Sequence, residues 1–263
     1  KPSFGLIPRT GILKTTDSLD SIGFFTSFFE DIQTVFDVLR VHGLNYPISN
    51  AALNDPLRQN KQKGKPWRVA FFQTHVWDHA ELYAKKAIQR WLEILSGNND
   101  IDIVEIETPE LMKRSHEIHA HIYDCTLAYY FKGEAERKEL VSPVMYDLIE
   151  SGRKVTRNQY QKALHDQEDF IHVMDDVLRS YDVGVSLSTA GEAPLREQTE
   201  KPDPALIWNL AHLPVMNLPV FRSPSGLPFG AQLFARKYND YLLLSFASQL
   251  QERELIPKYS NRF

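Results

Sequence analysis

Strands alternating with amphipathic helices predict an α/β protein, with a mixed, mostly parallel central sheet and helices on both faces. Three observations carry this reading. An apolar run at Val69–Phe72, a helix pattern after Asp78 and a second apolar run at Ile101–Ile106 spell one βαβ crossover. A long helix pattern opened by Thr156 and Gln159 leads into the apolar run Val183–Leu187. The last sixty residues again place apolar runs, at 215–220 and 230–235, before a helix.

The 263 residues are 43% hydrophobic and 24% charged, which excludes intrinsic disorder and collagen-like or coiled-coil architecture. With 30 basic against 34 acidic residues, no half of the chain carries a strong excess of one sign, so nucleic acid is not an expected partner. Cys125 is alone, which rules out an internal disulfide and a multi-cysteine zinc site and points to a reducing, cytoplasmic setting. The richest apolar region, 22–44, is broken by Glu30, Asp31 and Asp37, so no membrane span is expected. The chain starts at Lys1 without Met, and the expectation is that the gene product starts earlier.

From Lys1 to Ile22 the sequence reads as loop with a brief strand near Ile12 and Leu13. Ser27 with Glu30 forms a capping-box pattern for a helix carrying Phe28, Ile32, Val35, Phe36 and Leu39 on a buried face. Lysines 61, 63 and 65 mark a solvated loop. Asp78 with Glu81 caps a helix bearing Ala84, Ala87, Ile88, Trp91 and Leu95, stopped at 97–99. One helix is predicted over 110–131, with Leu111, Ser115, Ile118, Ile122, Cys125 and Tyr129 inward. Ser142 and Pro143 open another. The helix from Thr156 places Tyr160, Leu164, Ile171, Met174, Leu178 and Tyr181 inward, and 188–199 follows as a loop. Asp203 and Pro204 open a short helix ending near His212, residues 223–226 turn, and Asn239 caps a last helix bearing Leu242, Leu243, Phe246 and Leu250.

Motif chemistry alone yields no active site. His116, His119 and His121 cannot converge on a metal: on a helix the first two lie about 60° apart and the third about 160° from His119. With both His116 and His119 off the apolar stripe, a solvated helix face is the reading, and no metal site is expected. His75 and His79 flank the end of the first strand, where α/β pockets form, so Thr74, His75 and Trp77 are pocket candidates. Gly184 and Ser186 lack the second glycine and the immediate helix of a nucleophile elbow. No phosphate-cradling glycine loop occurs.

Several segments taken in order resemble the amidase signature family, the Ser-cisSer-Lys hydrolases. Lys1-Pro2-Ser3-Phe4-Gly5 and the stretch Ser18-Leu19-Asp20-Ser21-Ile22-Gly23 resemble the elements that directly follow the signature, with Phe24 where the family usually has Pro. Arg68–Ala70 through Trp77-Asp78-His79-Ala80-Glu81 and Tyr181–Val183 through Gly191-Glu192-Ala193-Pro194 are similar to later strands and loops. Leu213-Pro214, Leu218-Pro219, Gly226-Leu227-Pro228 and Gly230-Ala231-Gln232-Leu233 resemble the family's ending, with Ala211-His212 and Ala235 as departures.

This resemblance implies hydrolysis of a non-peptide carboxylic amide by an activated serine, with no cofactor, on a small-molecule substrate. It also implies that the triad and the oxyanion loop precede Lys1, so that residues 1–263 are the C-terminal part of one amidase-like domain and no catalytic residue is assigned here. The missing N-terminal part is then the expected partner, with a homodimer as a further one. The substrate-wall expectations are Asp20 in the loop Thr16–Asp20, Trp77 at the strand end, the loop 188–191, and His212. The competing expectation is a non-catalytic remnant or separately encoded subunit that works by association.

Overall fold

A computed structural model describes residues 1–202 and 204–256. The chain forms α1 (Glu30–Leu39), α2 (Pro47–Leu53), α3 (Pro56–Gln59), β1 (Trp67–Phe72), α4 (Leu82–Ser96), β2 (Ile101–Ile106), α5 (Glu110–Lys113), α6 (Ser115–Tyr130), α7 (Lys132–Ala135), α8 (Pro143–Lys154), α9 (Arg157–Leu178), β3 (Val183–Leu187), α10 (Ala205–Leu210), β4 (Val215–Arg222), β5 (Pro228–Phe234) and α11 (Asp240–Glu252). The sheet order is β2-β1-β3-β5-β4. β2, β1 and β3 are parallel, β5 is antiparallel to β3, and β4 is antiparallel to β5, so four of the five strands run one way. The mixed, mostly parallel sheet is therefore observed, and β1–α4–β2 is the expected parallel crossover.

Two cores flank the sheet. On one face Val69, Phe71, Val183, Val185 and Leu233 pack with α4 and α11 through Ile88, Leu95, Phe246 and Leu250. On the other, Ala70, Phe72 and Phe234 pack with Met112, Ile118, Phe170, Met174 and Trp208 from α5, α6, α9 and α10. Side chains of a strand alternate faces, so Val69/Phe71 and Ala70/Phe72 feed different cores.

Several boundaries depart from the sequence reading. No strand forms at Ile12–Leu13, and both side chains are exposed. α1 opens with Phe29 as N-cap and no side-chain cap, so the Ser27–Glu30 box is absent; the Glu30 carboxylate instead accepts from Gln251 Nε2 (2.7 Å). Only Phe36 of the expected face is fully buried, while Phe28 and Leu39 are exposed. Asp78 sits in a 3₁₀ turn, Trp77–His79, and α4 begins at Leu82, because Glu81 N–H bonds to Ala190 O (2.7 Å) and not into a helix.

The single helix over 110–131 breaks at Arg114, whose guanidinium is drawn to Asp166 on α9 (2.9 Å). Tyr129 is exposed, and Thr126 and Leu127 are buried in its place. In α9 Phe170, not Ile171, faces the core. Asn239 occupies the N-cap of α11, yet its side chain accepts from Arg58 Nε (2.6 Å) and makes no cap bond. Asp203 lies outside the described residues. The capping box of α9 is present as read: Gln159 N–H donates to Thr156 Oγ1 (3.3 Å), and Thr156 N–H donates to Gln159 Oε1 (2.9 Å).

α8 packs on α6 at Gly152, where a Cβ would stand 1.9 Å from Asp124 O. Gly152→Ala is expected to destabilise by roughly 1–3 kcal/mol through forced separation of the two helices. Gly133→Ala on exposed α7, with open space around it, is expected to be neutral or stabilising by up to about 1 kcal/mol. Urea denaturation of both variants checks the contrast.

Candidate functional site

Two groups of candidate residues stand at different ends of the sheet. One surrounds Asp20 and His212, beside the end of β3 where Gly184 pairs with Phe234 and Phe234 with Val215. The other surrounds Trp77, at the end where β1 finishes and Leu187 closes β3.

The loop of residues 15–21 is held from within. Asp20's carboxylate accepts from Thr15 N (3.0 Å), Thr16 N (3.1 Å) and the Thr15 hydroxyl. Thr16 Oγ1 accepts from Leu19 N (2.8 Å) and Asp20 N (2.9 Å). With Arg9 3.8 Å away as well, the Asp20 oxygens are engaged by their own loop.

His212 adopts φ 62°, a left-handed conformation that few non-glycine residues take, and is only 8% exposed. Its Nε2 lies 2.7 Å from Ser18 O, a pure acceptor, so Nε2 carries the hydrogen and donates. Nδ1 is then a buried lone pair without a protein partner. The ring stacks on Phe4 at 4.0 Å and 6°. Burial above all pushes its pKa down to about 4; the bond to Ser18 O opposes this, and Lys237, Lys1 and Arg9 add to it.

Gln167 and Asn209 complete the arrangement, and sequence reasoning missed both. Gln167 Nε2 donates to Leu210 O (3.2 Å), and Asn209 bridges Ser21 Oγ (2.9 Å) and Leu19 O (2.8 Å). The signal for Gln167 was present: it interrupts the buried stripe Ala163, Phe170, Met174 of α9 with a polar side chain.

At the other end, Thr74 takes φ 54° and is buried. Its carbonyl accepts from Trp77 N–H (3.2 Å), which sets Trp77 edge-on to Phe71 at 5.8 Å. Lys85's ammonium lies 5.7 Å over the Trp77 ring. Thr74, Val76 and Trp77 face Leu187, Thr189 and Pro204 across a groove whose interior is ≈ 10 Å³, about one water. The loop after β3 is pinned over α4: Glu192 N–H donates to Tyr83 OH (2.7 Å), and Lys201 pairs with Glu81. Trp77 is thus brought together with Thr74 and the loop 188–191, and not with Asp20 or His212.

The histidine reading needs correction. His116 and His119 are half-buried rather than solvated, because α6 turns them toward the β1 end and Tyr123. His75 Nε2 meets His116 Nδ1 at 3.0 Å, and His119 stacks on Tyr123 at 5.6 Å. Burial, then the neighbouring His116 and His79, pushes His75 down to about 4; burial and His116 do the same to His119. Among the described residues no group of three or more His, Cys, Asp or Glu could hold a metal ion. Ser186 is wholly buried within β3, donating to Leu187 O (3.1 Å) and accepting from Gln232 Nε2 (3.1 Å), so its hydroxyl is a sheet fastening.

A family model for Amidase matches residues 1–244. The chain belongs to the Amidase family. Among the curated relatives of this amidase chain is a component of the glutamyl-tRNA(Gln) amidotransferase of Sulfurimonas denitrificans (strain ATCC 33889 / DSM 1251), 26% identical over 97% of this chain and 63% of the relative. A crystal structure of an amidase superposes with a TM-score of 0.81 at 18% identity, covering 96% of this chain and 57% of that one. An inhibitor-bound vestigial protein complex, described as revealing the evolutionary origins of an s-triazine catabolic enzyme, contributes a chain with a TM-score of 0.79 at 19% identity, covering 99% of this chain and 59% of that one. These likenesses show the amidase-signature fold, and the chain spans about three-fifths of such proteins.

Two expectations follow for the amidase chain. Neutral, buried His212 is disfavoured from protonation in the fold, so its contribution is fully present above its unfolded value near 6.5 and is lost as pH falls toward 4. That depression corresponds to about 3 kcal/mol. Urea midpoints are therefore expected to fall between pH 7 and 4, and less steeply in His212→Gln. Asp20→Ala, which leaves the Thr15 and Thr16 N–H groups unpaired, is expected to cost about 1–3 kcal/mol in the same assay at pH 7.

Proposed function

We propose that this chain is the C-terminal part of a single amidase domain, residues 1–263, which hydrolyses the C–N bond of a small-molecule carboxylic amide. The Ser-cisSer-Lys triad of the family is supplied by a segment ahead of Lys1. The match to the Amidase family over residues 1–244 carries this reading, and the greater length of the relatives leaves room for the triad elsewhere. In the proposed reaction the lysine, as a neutral base, takes a proton through the cis-serine from the nucleophilic serine. That oxygen adds to the amide carbon, the amine departs with the proton, and water cleaves the acyl-enzyme to a carboxylate.

The residues of this chain contribute walls and support. Trp77, with Thr74 and Thr189 around it, is the best-formed apolar wall, since its face borders a groove at the ends of parallel strands. Asp20 and His212, whose polar atoms are turned into the loop of residues 15–21, hold that loop. Among the described residues no helix is long and apolar enough to cross a membrane, and with Cys125 alone the reducing cytoplasm is the proposed setting.

A second reading is a non-catalytic subunit that works by association. One observation favours it: Val38, Leu44, Ile48 and Leu57, from α1 to α3, are each more than 70% exposed.

The test is hydrolysis of small amides, measured as released amine, by the chain joined to the residues that precede it and by residues 1–263 alone. The joined protein is expected to be active and the 263-residue chain inactive. Replacement of the proposed upstream serine by Ala is expected to lower kcat at least about a thousandfold. Trp77→Ala is expected to raise KM several-fold with a smaller change in kcat, on the order of twofold. Hydrolysis by residues 1–263 alone overturns the reading, and an inactive joined protein that binds a partner chain favours the second.

A further inference from the structure

β4 pairs with β5 on one side, and the parity of that ladder assigns the groups on the other. Val215 stands opposite Phe234, and Ala235 N–H donates to Pro214 O (3.3 Å). Pro214, Met216 and Leu218 therefore turn their backbone groups toward β5, while Val215, Asn217 and Pro219 turn theirs outward. Val215 gives both outward groups to one residue: its N–H donates to Lys1 O (2.8 Å), and its C=O accepts from Lys1 N (2.9 Å). That reciprocal exchange is a hydrogen-bonded pair of an antiparallel ladder. Phe4 N–H donating to His212 O (3.2 Å) continues the same sense.

Asn217 is the next outward position. It is exposed, and its backbone has no partner on that side among the described residues. Pro219 has no N–H and closes the edge, as proline does on outer strands.

We propose that the segment directly ahead of Lys1 adds a sixth strand, antiparallel to β4, bonded at Asn217 and ending beside Pro219. The inference rests on the reading that such a segment exists. The occupant follows from continuity, since Lys1 already holds the first rung, and from the two-fifths of length by which the relatives exceed the matched stretch. Side-chain alternation specifies it further. The residues one and three places ahead of Lys1 stand opposite Met216 and Leu218, both buried in the core under α4 and α11, and are therefore apolar. The residue two places ahead stands opposite Asn217 on the open face.

The experiment uses the longer protein. Its Asn217 amide is expected to exchange with deuterium at least about a hundredfold more slowly than an unstructured amide. A cysteine immediately ahead of Lys1 is expected to form an intramolecular disulfide with Met216→Cys, because facing non-hydrogen-bonded positions suit that geometry. Free exchange at Asn217 overturns the proposal in the unmodified protein, whether or not the cysteine variant folds. A disulfide between two copies overturns it in favour of edge-to-edge dimerisation, and a protein that begins at Lys1 overturns it outright. Amide hydrolysis by the same sample separates the two readings: activity with free exchange removes only the strand, and a protected Asn217 without activity removes only the enzyme.

Discussion

Phe234 lies against β3 at Gly184, where a Cβ would meet its ring at 2.1 Å, so only a hydrogen fits. This contact stands where the sheet changes from parallel to antiparallel, with Gly184 directly opposite Phe234. The ring then stacks on Trp208 at 3.8 Å and meets Phe72 at 5.6 Å, which joins β5, α10 and β1 in one aromatic block. α10 is only six residues long and too short to be stable alone, so its place is set by that block. Its entrance contributes Pro204 to the groove beside Trp77, and its exit delivers Leu210 and His212 to the loop of residues 15–21. Both candidate regions therefore depend on the same missing side chain.

A second constraint fixes the front of the chain. Asp240, buried at the start of α11, accepts from Ser3 N–H (2.8 Å) and Ser3 Oγ (2.7 Å). Burial pushes its carboxyl pKa up, and the Ser3 bonds and Lys1 oppose that. The Lys1 ammonium, pushed down to about 8 chiefly by burial, donates to Leu213 O (2.6 Å). A buried charge this confined is tolerable only with its partners in place. The consequence reaches the site: Ser3 positions Phe4, whose ring stacks on His212.

What was legible in the sequence follows from what single residues can announce. The Thr156–Gln159 box and the β1–α4–β2 unit were readable because capping and periodicity are local. The Ser27–Glu30 pattern has the same letters and failed, because Gln251, 221 residues away, takes the Glu30 carboxylate. Asp20 and His212 could be picked from resemblance, but their roles could not, since those depend on Thr15, Ser18 and Gln167 converging. Trp77 lay beside a strand end, and its wall appears only when the loop after β3 closes over it.

The arrangement of the two regions bears on how an amidase half could be specialised. At the Trp77 end, the groove is bounded by loops whose anchors, Tyr83 on Glu192 and Lys201 on Glu81, involve surface side chains. Such loops can change sequence with little cost to the cores. At the His212 end almost every polar atom is committed to backbone groups, and the ring is clamped by Phe4. Substitution there alters folding before it alters recognition. Selection for a new acyl group or leaving amine is thus channelled to the end where β1 and β3 finish. The loop of residues 15–21 serves as a fixed floor, joining the front of the chain to α9 and α10.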